Sequence, residues 1–531
     1  MPYCQCDPKA GLPSCSVDGL LCGLSDPYRC GPCQKIDQMD QKIQDINTEL
    51  ARLRIERQAL VEQAVAKHTH EPFIHRLPPE VTARIFKLCV PEAVETMDIP
   101  LRLSAICGLW RSIAHSAPQL WSGVGLNFRR STSAHFPSPL LVREWLDRAG
   151  DLSLTIDFHV SDWQDTNNNE KPIIEIIEMF NQCSHRWQSL RYGGSTQFLS
   201  HFSGSEQGLP RLHTFILYGR EHYLFLPVLN LYPSRLTTLS ADGVVLAGII
   251  TFDWSNLTSL SLRVILPSEC LEALRIAPRL AYCTFGQARG HLDEADLNQF
   301  PLPLSPFAHP GIQHLAFTPG AQFYRVIEHL TCPSLKSLTI ERGRFSRIPT
   351  LVKFLHRSQC PLEDLSLFGW NTEDNISMVP LYQEVSTLQQ LHISLWGAYP
   401  VHDALRDALA PLAELSIVSN SKQPRYLPSL CSLSLETNVL CQPRDWEKIL
   451  PDIFGTRTLH SMELHRHFLK SMTVSLGMDS YVHDSVLDEA TLEMILWLRD
   501  SANVQFKLKH GGRDLIEMTL EKSMNTVNIV P

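Results

Sequence analysis

Six cysteines lie in the first 33 residues, and their spacing comes nearest in this chain to a metal-binding site. They are Cys4, Cys6, Cys15, Cys22, Cys30 and Cys33. Thiolates at short spacings could enclose one or two zinc ions, and the metal would supply folding energy that a Pro- and Gly-rich segment lacks. The gaps of one, eight, six, seven and two residues do not match a paired C-x-x-C ribbon. Two interpretations stay open for residues 1–35, a disordered tail and a zinc-binding segment, and no residue is assigned as a metal ligand.

The last two of these cysteines, Cys30 and Cys33, flank Gly-Pro and resemble the redox motif of thioredoxins. That motif requires a preceding strand and a following helix in a β-α-β unit, and only the helix is predicted here. The other nine cysteines are scattered singly, as expected for small buried side chains in a reducing compartment. A thiol redox role is therefore not predicted.

Residue patterns typical of enzymes do not occur in this sequence. No Gly-rich phosphate loop follows a predicted strand, and neither Gly-x-Ser-x-Gly nor His-Glu-x-x-His is present. Outside the amino-terminal cysteines, the nearest approach to a metal cluster is His460, Glu463, His465 and His467, where Arg466 separates two of the histidines and favours plain surface residues. We predict no catalytic residues, no metal and no cofactor.

Charge and hydropathy restrict the partners. The 531 residues carry a formal charge of −9, so no global basic field would hold a phosphate backbone, and nucleic acid is not predicted as a partner. The start lacks a basic region followed by an apolar run, and no apolar stretch is long enough to span a bilayer. We expect no membrane partner and a location in the cytoplasm or nucleus.

Residues 75–121 predict two short amphipathic helices. Pro78 and Pro79 suit a first helical turn, and apolar residues then recur at helical spacing as far as Pro91. A second helix is predicted after Pro100 from Leu103, Ile106, Trp110 and Ile113. A unit of about 45 residues is near the lower limit for independent folding. Its remaining apolar surface needs a partner.

The order of residues in this stretch resembles an F-box, which we place at residues 73–125. The similarity lies in the Leu-Pro start, the Ile-Phe pair, the Cys-x-x-Trp-Arg segment and the closing Leu-Trp. The resemblance implies docking on the Skp-type adaptor of cullin-based ubiquitin ligases. The implied adaptor-binding residues are Leu77, Pro78, Glu80, Val81, Ile85, Phe86, Trp110, Leu120 and Trp121. The alternative is that these are ordinary core helices of a larger α domain.

Apolar residues also recur in steps of three and four before the F-box-like stretch. They are Ile36, Met39, Ile43, Ile46, Leu50, Leu53 and Leu60. This spacing predicts a coiled-coil-like helix over residues 36–68, although Arg57 occupies an expected apolar position. The seam is close to the minimum length for a stable two-stranded coil. Weak homo-dimerisation and a single amphipathic helix laid on a neighbouring domain both stay open.

Beyond residue 121 the chain repeats an apolar-x-x-apolar-x-apolar pattern about every 25 residues. The twelve segments begin at Trp187, Leu212, Leu236, Leu257, Leu280, Ile312, Leu335, Leu362, Leu388, Leu412, Leu430 and Leu459. Several follow a predicted helix that ends at a proline. Each unit therefore predicts a strand, a turn and a helix, with the apolar residues facing the space between the strand and helix layers.

This period resembles that of leucine-rich repeats, although the usual asparagine after the last leucine occurs only as Asn420 and Asn438. The expected fold class is α/β, namely a short α-helical F-box followed by a leucine-rich-repeat solenoid, a curved parallel sheet with outer helices, and preceded by a helix or coiled coil. The solenoid is placed at residues 140–531, with Leu152, Leu154 and Ile156 in an amino-terminal cap strand. The carboxy-terminal cap is expected to consist of a helix over 485–498, the alternating residues Val504, Phe506 and Leu508, and the segment 515–520.

The two resemblances together imply the substrate-recognition subunit of an SCF-type E3 ubiquitin ligase, with the Skp-type adaptor, the cullin and an unidentified protein substrate as partners. We expect the substrate on strand residues where aromatic side chains lie beside charges. They are Lys336, Glu341, Glu363, Asp364, Phe368, Trp370, Gln389, His392 and Trp396. The alternative function is a non-catalytic scaffold or zinc-bearing regulator that acts through the Cys-rich tail and the coil.

Overall fold

The structure is a computed structural model. It describes residues 31–67, 77–90, 98–129, 138–161, 170–194, 196–204, 208–218, 233–242, 252–263, 265–286, 302–319, 322–371, 377–396, 411–412, 415–418, 421–424, 426–437, 469–476, 487, 489–500, 504–510 and 513–527. Residues 1–30 of the predicted tail, the histidines near residue 465 and the start of the segment predicted at Leu459 lie outside these residues, whereas residues 31–35 of the tail, with Cys33, belong to the first helix. The chain divides into two compact units, Met1–Thr82 and Ala83–Pro531.

The first unit contains helix α1 (Gly31–Lys67) and the start of helix α2 (Pro79–Cys89). Helix α1 begins five residues before the predicted coil and covers nearly all of it. The amides of Val81 and Thr82 donate to the carbonyl of Pro78, as expected where prolines open a first turn. Helix α2 then ends before Pro91, where the sequence predicted a stop.

The second unit begins within α2 and continues with helices α3 (Asp98–Ile106) and α4 (Gly108–His115). The single helix predicted here is divided at Cys107, whose extended backbone ends α3 and whose sulfur accepts the Trp110 amide. Pro100 lies inside the first turn of α3 rather than before it. Across the break, the Arg111 Nε donates to the Ser104 carbonyl at 3.0 Å, which holds the two helices together.

Nineteen strands follow within the residues that the structure describes. They are β1 (Gly123–Arg129), β2 (Leu154–Ser161), β3 (Trp187–Gly194), β4 (Thr214–Tyr218), β5 (Thr238–Asp242), β6 (Ser259–Arg263), β7 (Tyr282–Phe285), β8 (Phe307–Ala308), β9 (His314–Phe317), β10 (Leu330–Thr331), β11 (Ser337–Glu341), β12 (Asp364–Asn371), β13 (Gln390–Trp396), β14 (Leu415–Val418), β15 (Ser421–Pro424), β16 (Ser432–Thr437), β17 (Ser471–Leu476), β18 (Gln505–His510) and β19 (Arg513–Asp514). Fifteen of them form one sheet in chain order, and all its pairings are parallel except β18 with β19. The fold is mixed α/β with one long parallel sheet.

The described residues contain nine further α-helices, between or after these strands. They are α5 (Pro139–Arg148), α6 (Lys171–Gln182), α7 (Thr196–Leu199), α8 (Pro267–Ile276), α9 (Phe323–Glu328), α10 (Ile348–Ser358), α11 (Val379–Glu384), α12 (Glu489–Asp500) and α13 (Leu515–Val527). Consecutive helices α8 to α11 pack against one another. Because strand neighbours follow chain order and crossovers between parallel strands are right-handed, we expect these helices on one face of the sheet.

Alternating burial runs along the strands, as the apolar pattern predicted. On β11 the side chains of Leu338 and Ile340 are fully buried, while Ser337, Thr339 and Glu341 are partly exposed. Register pairs place Leu338 beside Leu315 on β9 and Leu365 on β12, so like positions stack from strand to strand. Each strand therefore contributes one slice of a continuous core.

Individual polar side chains form hydrogen bonds with backbone groups in the turns between layers, where leucine-rich repeats usually have an asparagine in every repeat. The Arg186 Nε donates to the Leu152 carbonyl at 3.0 Å, and the Cys332 amide donates to the buried Ser358 hydroxyl at 3.1 Å. Arg357 donates from Nη2 to two carbonyls at the end of α9 and the start of β10, at 2.6 and 2.7 Å. These three turns use different side chains, and elsewhere Asn181 binds the backbone of His201, Ser203 and Gly204.

Two elements differ from the predicted repeats. The segment with Leu412, Leu415 and Ile417 matches the repeat pattern, but β14 pairs with β15 in an antiparallel hairpin and β13 pairs directly with β16. The sheet also starts earlier than the predicted cap strand, because β1 pairs in parallel with β2. At the carboxy end, α12 lies close to the predicted helix, β18 contains the alternating residues 504–508 from Gln505 onward, and the cap segment 515–520 is the start of helix α13.

Removing core volume from a central strand should destabilise the sheet strongly. Leu338→Ala deletes a fully buried side chain and should lower the free energy of unfolding by about 2–5 kcal/mol, measured by chemical denaturation. The matched control is Thr339→Ala, one residue along on the partly exposed side, for which we expect a change of about 0.5 kcal/mol or less. Equal losses for the two variants would contradict the alternating burial.

Candidate functional site

The side of the sheet that carries the partly exposed strand positions is here called the open face. On β5, β6 and β11 its residues are mostly Ser and Thr, and Thr238, Ser259 and Ser337 belong to one register row, with Tyr282 and His314 between Ser259 and Ser337. Small hydroxyl side chains offer little contact area or charge. The chemistry of the open face is therefore concentrated where other residues interrupt these rows.

One interruption is the Asp157 cluster, formed by Asp157 and His159 on β2, Arg191 on β3 and Tyr218 on β4. Asp157 Oδ1 lies 2.9 Å from His159 Nε2, at angles that do not form a hydrogen bond, and its Oδ2 lies 3.9 Å from Arg191 Nη1. The His159 ring stacks on Tyr218 with centroids 5.6 Å apart. The Asp157 carboxylate is largely buried, while Tyr218 is exposed. The cluster presents an aromatic surface above a shielded charge.

Gly193 is what makes room for this stack. It pairs with His159 on one side and Tyr218 on the other, and a Cβ added to it would lie 2.3 Å from His159 Nδ1. Any other residue would push the imidazole away from its place. Sequence reasoning missed the whole cluster, although the alternation on the predicted cap strand already turned Asp157 and His159 outward.

A second interruption is the His392 cluster, formed by Asp364 and Phe368 on β12, His392 on β13 and Glu436 on β16. The His392 ring packs on Phe368 with centroids 4.2 Å apart, and its Nε2 lies 3.8 Å from Glu436, too far for a hydrogen bond. Asp364 accepts from the Ser366 hydroxyl at 3.3 Å. Of the predicted substrate residues, the structure brings Asp364, Phe368 and His392 together, and Glu436 is an additional member that sequence reasoning missed.

The other predicted substrate residues lie around this cluster, with one exception. Lys336 and Glu363 precede β11 and β12 and form a half-exposed ion pair at 3.9 Å. Glu341 is paired in register with Phe368, and Gln389 is exposed just before β13. Trp396 ends the strand β13.

The exception is Trp370, which is a core residue and not a surface residue. Its indole is fully buried, and its Nε1 donates to the Ile340 carbonyl at 3.2 Å. The register of β12 against β13 shifts between Leu367 and Trp370, and Gly369 has a left-handed φ of 62°. A shift of one residue moves a side chain to the opposite face, so the outward position expected from strict alternation points inward.

The predicted adaptor-binding residues fall into two groups by exposure. In the first unit, Pro78, Glu80 and Val81 are exposed and Leu77 is partly exposed. In the second unit, Ile85 and Trp110 are partly exposed, whereas Phe86, Leu120 and Trp121 are buried. These three pack within the chain itself, and their assignment to adaptor binding stays a prediction.

Trp121 connects the helices of the second unit to its sheet. Its Nε1 donates to the Ala114 carbonyl at 2.7 Å, and its ring packs edge-on against Trp145 of α5 at 4.6 Å. The Trp145 Nε1 in turn donates to the Gly123 carbonyl at the start of β1. The Arg148 guanidinium covers the Trp121 ring at 4.5 Å. The closing Leu-Trp of the F-box-like stretch thus forms a joint, in which Trp121 packs the preceding helices against α5 and the start of the sheet.

Large apolar side chains nevertheless stay exposed on the helices around this joint. Leu88 of α2 is 82% exposed, Ile106 of α3 is 60% exposed, and Leu109 of α4 is 44% exposed. Sequence reasoning assigned none of these three to adaptor binding, because the pattern of helical spacing marks apolar residues without saying which are covered.

The described residues bring no three metal-binding side chains together, and no described helix is both long and apolar enough to cross a bilayer. Burial raises the pKa of the Cys283 thiol to about 12 and that of Cys360 to about 11, so these two thiols stay protonated and unreactive.

No protein-family model matches this chain, and no curated protein matches it either.

The pKa of His392 is lowered by burial, partly opposed by Glu436 and Asp364. Because this pKa is lower in the folded state, the imidazole of the unfolded chain is protonated first as the pH falls below about 6.5. Proton uptake then favours the unfolded state, so the stability present above that pH is lost. We expect the wild type to lose more stability than His392→Asn between about pH 7.5 and pH 5.5, measured by chemical denaturation. Identical losses would contradict the buried setting of this imidazole.

Proposed function

We propose that this chain is the substrate-recognition subunit of an SCF-type E3 ubiquitin ligase. In this proposal the stretch from Leu77 to Trp121 is an F-box that docks a Skp-type adaptor, and the strands form a leucine-rich-repeat solenoid that holds a protein substrate. The observation that carries the proposal is the exposure of apolar side chains on α2, α3 and α4, since Leu88, Ile106 and Leu109 stay uncovered while their neighbours pack into the unit.

Exposure of this kind supports a protein partner for physical reasons. Burying an apolar side chain on association contributes roughly 25 cal/mol per Å² of apolar surface, so uncovered leucines and isoleucines are natural anchors. Phe86 and Trp110 pack together with ring centroids 4.8 Å apart, which gives the exposed residues a rigid support. A preorganised surface loses less entropy on binding.

The long sheet supports the second half of the proposal. Parallel strands about 4.8 Å apart present a continuous open face, and its polar clusters give a protein substrate distinct features to recognise. Catalysis would reside in other subunits. The contribution of this chain is proximity, because a tethered substrate lysine meets the ubiquitin-charged enzyme at a high effective concentration.

The adaptor half of the proposal is tested with a charge on an exposed apolar residue. Leu88→Glu in the full chain should abolish co-purification with a Skp-type adaptor, because a carboxylate would be buried without a partner in the interface. The matched control is Leu140→Glu on α5, an equally exposed leucine outside the F-box-like helices, which should keep the adaptor. Equal recovery of adaptor with both variants would overturn the docking assignment.

The substrate half is tested by charge reversal on the open face. Glu363→Lys combined with Asp364→Lys should remove the captured substrates in a proximity-labelling comparison, because it inverts the charge beside Phe368 and His392. The control pair is Thr238→Lys with Ser259→Lys on the hydroxyl-lined strands, which should leave the captured set unchanged. Both proteins should retain the adaptor. An unchanged set with the charge-reversed protein would place the substrate elsewhere.

A further inference from the structure

Helix α1 carries an uncovered apolar seam along most of its 37 residues. The seven residues of the seam, Ile36, Met39, Ile43, Ile46, Leu50, Leu53 and Leu60, are between 38 and 65% exposed. From Ile36 to Leu60 the seam is about 36 Å long at 1.5 Å per residue. A helix whose apolar side faces water gains no tertiary stabilisation, so this seam needs a partner.

The charges beside the seam match those of a second copy of the same helix. With Ile36 at heptad position a, Lys35 and Glu49 lie at g, and Asp40 and Arg54 lie at e. In a parallel, in-register pair, each g residue lies beside the e residue five positions later on the other helix. Lys35 then meets Asp40 of the second copy, and Glu49 meets Arg54 of the second copy. The remaining two pairs, Lys42 with Asn47 and Glu56 with Val61, place no like charges together.

Arg57 also fits this arrangement, although it interrupts the seam. An a-position side chain lies beside the same position and beside the preceding g residue on the other helix, so Arg57 lies beside both Arg57 and Glu56 of the second copy. The two helices then exchange two Arg57–Glu56 pairs, which offset the single contact between the two Arg57 side chains. A single polar a position of this kind lowers stability but selects the register, because any slip by a heptad would place Arg57 against apolar side chains.

The opposite orientation also has complementary pairs, Asp40 with Arg54 and Lys42 with Glu56, but it brings a like pair together at its centre. The antiparallel pair that keeps the whole seam matched, with Ile36 opposite Leu60, places Glu49 directly beside Glu49 of the second copy. Glu49 already accepts two hydrogen bonds from Arg52 of its own helix, which lowers its pKa and keeps it charged. Two ionised carboxylates would therefore face each other at the centre of an antiparallel coil.

We propose that α1 joins two copies of this chain in a parallel, in-register two-stranded coiled coil. The occupant of the seam is thus a second copy of α1, selected by the complementary pairs Lys35 with Asp40, Glu49 with Arg54, and Arg57 with Glu56. The proposal does not depend on the ubiquitin-ligase function.

The oligomeric state of the full chain tests the proposal. Light scattering coupled to size-exclusion chromatography across a dilution series should give the mass of a dimer for the wild type and of a monomer for Ile46→Asn. The matched control is Ile55→Asn, because Ile55 is 72% exposed on the side of α1 away from the seam. This variant changes the same residue type in the same helix and should remain a dimer.

The orientation is tested by a spin-label distance. Labels introduced at Gln38 through a genetically encoded amino acid should lie within about 25 Å of each other in a parallel dimer, since there is no axial offset between them. In the matched antiparallel pair they would be offset by about 30 Å along the axis. A monomeric wild type, a dimeric Ile46→Asn, or a distance beyond 30 Å would each overturn the proposal.

Discussion

The contact on which the second unit depends is the stacking of buried strand residues from one strand to the next. Leu338 lies between Leu315 and Leu365 and has no other way to leave water, since its own repeat supplies too few apolar atoms to cover it. The same constraint applies from β1 to β18. Helices α8 to α11 pack on the other side of this core. The last two residues of α10, Arg357 and Ser358, join neighbouring layers through hydrogen bonds.

Because of this constraint, the residues that determine stability differ from the residues that are available for binding. The core needs only the inward half of each strand, so the outward half is free to vary, and its polar clusters sit on a support that other residues hold rigid. The joint at Trp121 extends the same support to the helices before the sheet, because its indole contacts both Ala114 and Trp145. If α1 also pairs two copies, both sheets could engage one multivalent substrate, which raises its effective concentration at the second sheet.

Local patterns in the sequence predicted much of this fold. Alternation of apolar residues has a period that only a strand satisfies, so the strands around Leu338 and Leu365 were predictable, and β1, with Val124, Leu126 and Phe128 buried, carries the same signal. The pattern could not tell that β14 would pair in a hairpin, because pairing depends on a distant partner. It could not place Trp370 either, since the left-handed turn at Gly369 reverses the face of the residue that follows. The site was less predictable than the fold, because the Asp157 cluster forms only when three strands bring their outward side chains together.

The central claim is that this chain links a ubiquitin-ligase core to a protein substrate. Its most direct test is native mass spectrometry of the purified full chain mixed with a Skp-type adaptor and its cullin. The account predicts a single assembly that contains all three proteins, with the cullin joining only when the adaptor is present. A chain that stays apart from the adaptor at every concentration, while the adaptor and cullin still assemble, would contradict the account.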